Sequence, residues 1–488
     1  MAPSASDLIA ILPFIFAASG GLLVVLLDSF THPESPRRFL GGFSLVFLGA
    51  MGLSAWLGDG APQLAFSGLV VADDFSRFLT ILFALAAGLG ALIAMGRLPE
   101  EGAARGEFYA LLLFSAGGAS LLAQAADLIT LFLGLEMVSI PAYAMAASIR
   151  RDSRSAEAGF KYFVLGAFAT GFLIFGIALL YGAAGGTSLA KIAAAASGVW
   201  TDSPRLVFGA LFLLVGLVFK IAAVPFHMWA PDVYCGSPTP ATAYFAAGIK
   251  AAGFAALLRV LFVALPELKV GPGALERAGW HYVIMGLAYA TMFVPTLVAL
   301  VQKDVKRILA YSSVAHAGYL LIGLLAGKEG SAAILFYLTV YTFMTVGAFA
   351  IVAYFEHRDG GTNLADYSGL GKRHPYAAAA MAVFLFSLAG IPPMGGFLAK
   401  FYLFRAALAN DLKWLTILGV MASLISAYYY LRVTVAMYME QEQPAEDTPA
   451  VRPSAAVITV VAICLALVLV LGVYPVPVLA AAQAAALP

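Results

Sequence analysis

Long apolar runs follow one another along almost the whole chain, separated by short clusters of charged residues, proline and glycine. A membrane-spanning helix needs roughly 20 consecutive apolar residues, and cutting the chain at those clusters leaves fourteen such runs. The pattern therefore predicts a chain built almost entirely of membrane-spanning helices. The predicted spans are 8–28, 39–57, 75–96, 108–126, 128–149, 158–182, 206–234, 238–265, 280–300, 305–327, 331–355, 376–409, 413–439 and 455–479.

Two of these runs contain helix-breaking residues. The run 206–234 is long for one straight crossing and contains Pro225, while 376–409 contains Pro392 and Pro393 near its middle. Proline removes a backbone donor and interrupts a helix, and a broken helix survives in a bilayer only where it faces protein or a wet cavity. We expect two discontinuous helices with a polar interior beside them.

The sequences before the two breaks resemble each other. Phe219–Pro225 reads FKIAAVP and Phe386–Pro392 reads FSLAGIP. A repeat of five helices has an odd number of crossings, so its second copy must be inverted, and inverted repeats with broken helices are typical of transporters. The predicted fold class is an all-α polytopic membrane protein with two inverted five-helix repeats. Its predicted units are helices 1–3 in 1–106, the first repeat in 107–265, the second in 275–440 and helix 14 in 454–488.

Composition supports this class and excludes others. Apolar types make up 62% of the 488 residues and charged types 11%, against about 25% charge in soluble domains. A soluble enzyme, a nucleic-acid binder and a disordered chain are therefore excluded, and the lipid bilayer is an expected partner. The two cysteines, Cys235 and Cys464, are too far apart for a cysteine zinc site or an iron–sulfur cluster, so we expect no metal and no cofactor in this chain.

The charged connections indicate how the chain is oriented. Cytoplasmic loops hold an excess of Lys and Arg. If the N-terminus is outside, the loops on the cytoplasmic side carry fifteen Lys and Arg residues and those on the other side carry six. The prediction is that both termini face outward. The longest hydrophilic stretches, around 97–107, 183–205 and 440–454, are too short for a soluble domain, so chemical energy must enter through other subunits.

Four ionisable side chains lie well inside predicted spans: Glu136, Lys220, Lys250 and Lys400. At about 2.5 to 3.5 kcal/mol each, they cost on the order of 10 kcal/mol, comparable to the stability of a whole protein. Structural ion pairs are one interpretation, but one acid cannot neutralise three lysines. Because burial and a nearby carboxylate act oppositely on a lysine, a row of such groups can hold, release and so conduct protons.

A histidine adds to this row. Ser312, His316 and Tyr319 share one helical face through spacings of four and three. The face fits either a proton-carrying, water-holding stripe or interhelical hydrogen bonds, and the sequence leaves both open. Near the span ends, Arg259 and Arg432 are expected to extend toward the membrane surface, as is Arg405.

The sequence resembles a known family, the antiporter-like membrane subunits of respiratory complex I. That complex is the proton-pumping NADH:quinone oxidoreductase. The resemblance covers essentially the whole chain. The segments that carry it are Val218–Lys220, Pro225–Tyr234, Gly236–Pro240, Lys306–Ser313 and Ile391–Lys400. Within the family, the PDVY and SPTP runs are similar to the subunit N group, and Lys400 agrees because the subunit M group has a glutamate there.

The resemblance implies a function and a set of roles. It implies proton translocation driven by quinone reduction elsewhere in the complex. Glu136 and Lys220 would form a coupled pair, Lys250 would bridge along a central polar axis, and Lys400 would lie on the proton exit side. NADH, FMN, iron–sulfur clusters and quinone would bind partner subunits, membrane and peripheral, at a bacterial inner membrane with both termini periplasmic.

Two other functions remain open at the sequence level. A subunit of a multi-subunit sodium/proton antiporter would share the fold and the lysines, and co-purification with flavin and iron–sulfur subunits would separate the two. A purely structural membrane subunit is the third reading, which four buried charges disfavour.

Overall fold

The computed structural model describes residues 3–32, 37–58, 61–98, 105–197, 203–269, 279–356, 361–440 and 454–488. Within these residues, twelve helices are long and apolar enough to cross a membrane. Two further crossings are each made by a pair of shorter helices, which brings the total to fourteen. In chain order the crossings are α1 (Leu12–Ser29), α2 (Arg38–Leu57), α3 (Asp74–Arg97), α4 (Gly106–Ala123), α5 (Leu128–Ala146), α6 (Ser153–Ala184), α7 (Pro204–Lys220 and Trp229–Gly236), α8 (Thr239–Ala264), α9 (Trp280–Ala299), α10 (Val305–Leu325), α11 (Gly327–Phe355), α12 (Pro375–Ala389 and Gly395–Ala409), α13 (Lys413–Met439) and α14 (Ala455–Val473).

The fourteen predicted crossings and the two predicted breaks are confirmed. The predicted unit boundary at 275 and the connection 441–453 lie outside the described residues. Two features of the fold were not expected from the apolar runs. Gln63–Ala65 pairs with Val70–Ala72 as a small antiparallel hairpin, and short helices occupy Ala5–Ala10, Leu189–Ala196 and Val476–Ala485.

The core of the molecule lies around α8, α10 and α11, which are buried along most or all of their apolar length. In α1 and α14 only 28% of the apolar stretch is buried inside the protein, as expected for helices that face lipid. Helices α4 to α8 contact α9 to α13 chiefly where α7 and α8 pack against α10 and α11. This interface places side chains from both halves of the chain in one buried layer.

The first break, between the halves of α7, faces protein. The helix ends at Lys220, and Ala222 adopts a left-handed backbone conformation with φ of 58°. The freed N–H of Val224 donates to Thr291 Oγ1 on α9 at 3.0 Å. Irregular backbone inside the membrane is therefore satisfied by a neighbouring helix, as the bilayer requires.

The second break, in α12, is satisfied in a similar way. Gly390 has φ of 87°, a conformation that glycine adopts without a Cβ clash. Ser387 Oγ accepts from the N–H of Gly396 at 3.1 Å. The carbonyls of Leu388 and Ala389 accept from Lys400 Nζ, both at 3.0 Å.

Arg259 corrects one of the expectations. It is 3% exposed and does not extend to the membrane surface. Its guanidinium donates to Asp73 Oδ1 at 2.6 Å and to the carbonyl of Ala123 at 2.9 Å. The physical reason is that α3 and α4 bring a carboxylate and a carbonyl within reach, which linear sequence does not show. Arg405, by contrast, is exposed.

Lys306 is also more buried than its position beside a predicted loop suggested. It is 1% exposed, and its Nζ binds Glu356 Oε1 at 3.0 Å and the Ser237 carbonyl at 2.8 Å. Thr239 donates to the other carboxylate oxygen of Glu356, and Arg97 to its backbone carbonyl. Burial opposes ionisation of Glu356, but Lys306 and Thr239 outweigh it and hold its pKa below the ordinary value. This cluster ties α3, α8, α10 and α11 together at one end.

Candidate functional site

Lys220 is the last residue of the first half of α7, and its ammonium group is surrounded by hydroxyls and aromatic rings. The side chain is 4% exposed. Its Nζ donates to Ser139 Oγ on α5 at 2.8 Å and lies 3.5 Å from Tyr162 Oη on α6. The same atom is 5.4 Å from the centre of the Tyr162 ring and 5.9 Å from that of Tyr143. These contacts stabilise the ammonium group of Lys220 through neutral hydroxyls and aromatic rings.

Glu136 lies on α5 one turn before Ser139, but it does not form an ion pair with Lys220 in this structure. It is half-buried, and Thr170 on α6 donates to its Oε1 at 2.7 Å. A small cavity between α5, α6 and α7 is lined by Ser139, Thr170 and Lys220. The carboxylate and the ammonium are therefore neighbours whose partners border one cavity.

Lys250 lies at the centre of the molecule, on α8. A π-helical turn, Phe245–Ile249, immediately precedes it, and such turns are frequent at functional sites. The side chain is 2% exposed, and its Nζ donates to the carbonyl of Ser313 on α10 at 2.6 Å. The carbonyl of Ile221, freed by the first break, is 3.5 Å away. Lys250 thus connects the break in α7 with α10.

His316 is held by two tyrosines from two other helices. Its Nδ1 is 2.7 Å from Tyr337 Oη on α11, and its Nε2 is 3.2 Å from Tyr430 Oη on α13. Tyr430 also hydrogen bonds to Ser312. The ring of Tyr319 meets the imidazole edge-on at 5.6 Å between centres. The predicted stripe of Ser312, His316 and Tyr319 is therefore one buried polar cluster.

Lys400, on the second half of α12, has the most complete set of partners. Its Nζ donates to the Leu388 and Ala389 carbonyls and to Ser423 Oγ on α13 at 2.8 Å. An ammonium has three N–H donors, and all three find an acceptor here. The Nζ also lies 4.9 Å above the centre of the Tyr319 ring, so the histidine cluster and Lys400 adjoin each other.

Four of the five predicted residues are buried and Glu136 is half-buried. In the order Glu136, Lys220, Lys250, His316 and Lys400 they form a row in which neighbours approach each other through the groups described above. Within the part of the chain that the structure describes, the three lysines form no ion pair. Hydroxyl groups both donate and accept hydrogen bonds, so a row of amines, hydroxyls and an imidazole can pass protons.

Sequence reasoning missed the hydroxyl partners, which are Ser139, Tyr162, Tyr337, Ser423 and Tyr430. Two signals could have found some of them. Ser139 is three residues after Glu136 on one helix face, and Ser423 and Tyr430 are seven apart on α13. Tyr162 and Tyr337 have no such spacing to mark them.

The described residues contain no group of three or more His, Cys, Asp or Glu side chains that could hold a metal ion.

The chain is similar in sequence to a known protein family and to its members. Residues 125–426 match the family model described as NADH:quinone oxidoreductase/Mrp antiporter, transmembrane. The chain is 46% identical over 437 residues to the NADH-quinone oxidoreductase subunit N of Trichlorobacter lovleyi, covering 89% of this chain and 88% of that relative.

Solved structures show the same fold. A chain of respiratory complex I from Thermus thermophilus with bound aureothin is similar with a TM-score of 0.81 and 35% identity, covering 97% of this chain and 99% of that one. A chain of the Mrp complex from Dietzia sp. DQ12-45-1b has a TM-score of 0.84 over 98% of this chain and 96% of that one. Its 21% identity supports similarity of fold alone.

Proposed function

The chain belongs to the antiporter-like membrane subunits of NADH-quinone oxidoreductase, and on that premise we propose that Glu136, Lys220, Lys250, His316 and Lys400 carry its protons. The subunit translocates protons across the membrane and contains no redox centre of its own. Quinone reduction elsewhere in the complex supplies the energy. The prediction of a subunit N-type chain is confirmed by the 46% identity to a subunit N.

The observation that carries this proposal is that Lys220, Lys250, His316 and Lys400 are all buried along the region from one helix break to the other, with the half-buried Glu136 beside Lys220. Among the described residues, the ammonium groups of Lys220 and Lys250 contact hydroxyl and carbonyl oxygens and no carboxylate. Three buried lysines without ion pairs are costly in a membrane protein. That cost is understandable where each lysine must gain and lose a proton.

Glu136 and Lys220 are the pair at which energy would enter. A carboxylate that approaches an amine stabilises its protonated form, and one that withdraws favours release of the proton. Thr170 holds Glu136 near Lys220 without an ion pair, so a small movement of α5 or α6 could make or break one. Lys250 then receives the proton at the centre, and Lys400 lies on the exit side.

The two broken helices support the proposed inverted repeats. Each break lies in the fourth helix of its predicted unit, in α7 for the unit α4–α8 and in α12 for the unit α9–α13. Each break also lies beside a lysine of the row. With the first unit giving access from one side and the inverted unit from the other, a proton has a route through both.

The sodium/proton antiporter remains the alternative, since a chain of an Mrp complex shares the fold. The much higher identity to a NADH-quinone oxidoreductase subunit favours the leading proposal. NADH, FMN, iron–sulfur clusters and quinone would bind partner subunits. Co-purification with those subunits supports the leading proposal, and pumping that depends on Na⁺ in their absence supports the alternative.

We further propose that both termini are periplasmic. The chain is a protein of a bacterial inner membrane, and the excess of Lys and Arg on one set of loops supports that orientation. Lys306 is one of the fifteen residues counted on the cytoplasmic side. It is buried, and without it the count is fourteen against six.

Substitution of Lys220 tests the function. Lys220→Ala should leave an assembled complex whose proton pumping is strongly reduced, because a side chain that cannot titrate cannot carry a proton. Lys220→Arg should fail nearly as badly, since arginine keeps its proton. The measurement is proton uptake by inverted membrane vesicles, normalised to complex content. Lys413→Ala, at an exposed lysine, is the control. Full pumping by the arginine variant would mean that Lys220 supplies only a fixed charge.

A further inference from the structure

The imidazole of His316 is bound on both sides by hydroxyl groups. Tyr337 Oη contacts Nδ1 at 2.7 Å and Tyr430 Oη contacts Nε2 at 3.2 Å. Tyr430 in turn hydrogen bonds to Ser312. All four side chains are buried. The hydrogen-bonded row Ser312–Tyr430–His316–Tyr337, called the histidine row below, is therefore shielded from bulk water.

The hydrogen bonds of the histidine row can all be donated in one direction or all in the opposite direction. A neutral imidazole has one donor and one acceptor nitrogen, while each hydroxyl both donates and accepts. In one arrangement Ser312 donates to Tyr430, Tyr430 donates to Nε2 of His316, and Nδ1–H donates to Tyr337. In the other arrangement all three bonds are reversed and the imidazole is the other tautomer.

We propose that Tyr430 passes protons between Ser312 and His316 and thereby makes His316 a two-sided relay between Lys250 and Lys400. This inference rests on the proposed function and adds a proton-carrying residue to it. The relay carries a proton without a net charge remaining on the histidine.

The transfer balances at each atom. A proton that reaches Ser312 Oγ displaces the hydroxyl proton of Ser312 onto Tyr430 Oη. The phenolic proton of Tyr430 moves to Nε2, the proton on Nδ1 moves to Tyr337 Oη, and the original Tyr337 proton leaves. Each hydroxyl oxygen gains one proton and loses one. The imidazole gains one at Nε2 and loses one at Nδ1, so His316 stays neutral and becomes the other tautomer. Rotation of the three hydroxyls and a change of tautomer then restore the first arrangement.

Groups beside this row connect it to the surroundings of the two lysines. Lys250 Nζ binds the carbonyl of Ser313, the residue after Ser312. On the other side, Tyr319 meets the imidazole edge-on and lies beneath the ammonium of Lys400. A relay at this position therefore spans the part of the path that neither lysine reaches alone.

The neighbouring tyrosine is a matched control. Tyr429 is as fully buried as Tyr430, and the two ring centres are 4.5 Å apart. The Tyr429 hydroxyl has no hydrogen-bond partner among the described residues. Phenylalanine at either position keeps the ring, but only at Tyr430 does it interrupt the row.

The experiment compares Tyr430→Phe with Tyr429→Phe in the assembled complex, using inverted vesicles. We expect pumping per complex to fall about tenfold in Tyr430→Phe, as for loss of a proton-transferring group, and to stay within about twofold in the control. Equal pumping by both variants would overturn the relay. Should Tyr430→Phe not assemble, Ser312→Ala removes the other end of the same bond, with the same expected loss and the same overturning result.

A second measurement separates a relay from a structural hydrogen bond. Replacing Tyr430 by 3,5-difluorotyrosine keeps the hydroxyl but makes it more acidic, so the rate of pumping should change by more than about twofold, with no change at Tyr429. Unchanged pumping with the analogue would show that the bond is only structural. Lys220→Ala is run in parallel: if it loses pumping while Tyr430→Phe does not, only the relay is wrong, and if it too pumps normally the proposed function fails.

Discussion

At the scale of single residues, the three lysines of the row differ in how fully their ammonium groups are satisfied. Lys400 has three oxygen partners at 2.8 to 3.0 Å. Lys220 has one short bond, to Ser139, and one long contact, to Tyr162. Lys250 likewise has one short bond, to the Ser313 carbonyl, and one long contact, to the Ile221 carbonyl. Since each unmet N–H of a buried ammonium costs free energy, a nearby negative charge would stabilise Lys220, and Glu136 is placed to supply it.

Glu136→Gln tests that dependence. The amide keeps the shape and the hydrogen bond to Thr170 but cannot stabilise a protonated Lys220, so we expect pumping to fall much more than assembly. Glu157→Gln, at an exposed glutamate of α6 that pairs with Lys161, should do little because surface ion pairs contribute weakly. Pumping in vesicles and complex content on native gels are measured together. Wild-type pumping by Glu136→Gln would remove this residue from the mechanism.

At the scale of helices, both breaks place a lysine ammonium in similar surroundings, although the lysine comes from the first half of one helix and the second half of the other. Lys220 ends the first half of α7, whereas Lys400 belongs to the second half of α12 and reaches back to the carbonyls that end the first half. In both cases an ammonium lies at the carboxyl end of a half-helix, where the helix dipole favours positive charge. The breaks thus provide both the polar space and part of the stabilisation that a buried lysine needs.

The buried ion pair between α8 and the start of α3 allows a test of packing. Arg259→Met should lower the free energy of unfolding by about 3 kcal/mol, because it leaves Asp73 buried without its partner. The double variant with Asp73→Asn should recover part of this loss, since asparagine can still cap α3. Arg405→Met, at an exposed arginine, is the control. The measurement is the thermal unfolding midpoint of the purified complex, and equal midpoints for Arg259→Met and the control would contradict the expectation.

At the scale of the whole molecule, the two halves meet where α7 and α8 pack against α10 and α11. Lys250 bonds across this interface to Ser313, and the Lys306 cluster joins the same helices at one end. A movement of one half against the other would therefore change the surroundings of Lys250 directly. Under the proposed function, one interface would both transmit energy and carry the proton.

Orientation of the whole chain is tested by labelling. In a background without Cys235 and Cys464, Arg151→Cys should react with a membrane-impermeant thiol reagent only from the cytoplasmic side, because the Lys- and Arg-rich loops stay inside. Lys413→Cys, at the exposed first residue of α13, should show the opposite pattern. Labelling of Arg151→Cys from the outside of intact cells would reverse the proposed topology.

The sequence by itself determined the class, the crossings and which titratable residues lie inside them. Apolar run length and the cost of burying charge are properties of local sequence, so the crossings, the breaks at Pro225 and Pro392 and the three buried lysines could be predicted directly. Resemblance of motifs then identified the family, which the comparisons confirmed.

Only the tertiary structure decided the partners. Lys220 and Ser139 are 81 residues apart, and His316 and Tyr430 are 114 apart; nothing local links them. The same holds for Arg259, which was expected at the membrane surface and instead binds Asp73, 186 residues away. A hydrogen bond forms over about 3 Å, so which groups meet depends on how helices distant in sequence pack, and that packing is a property of the whole fold.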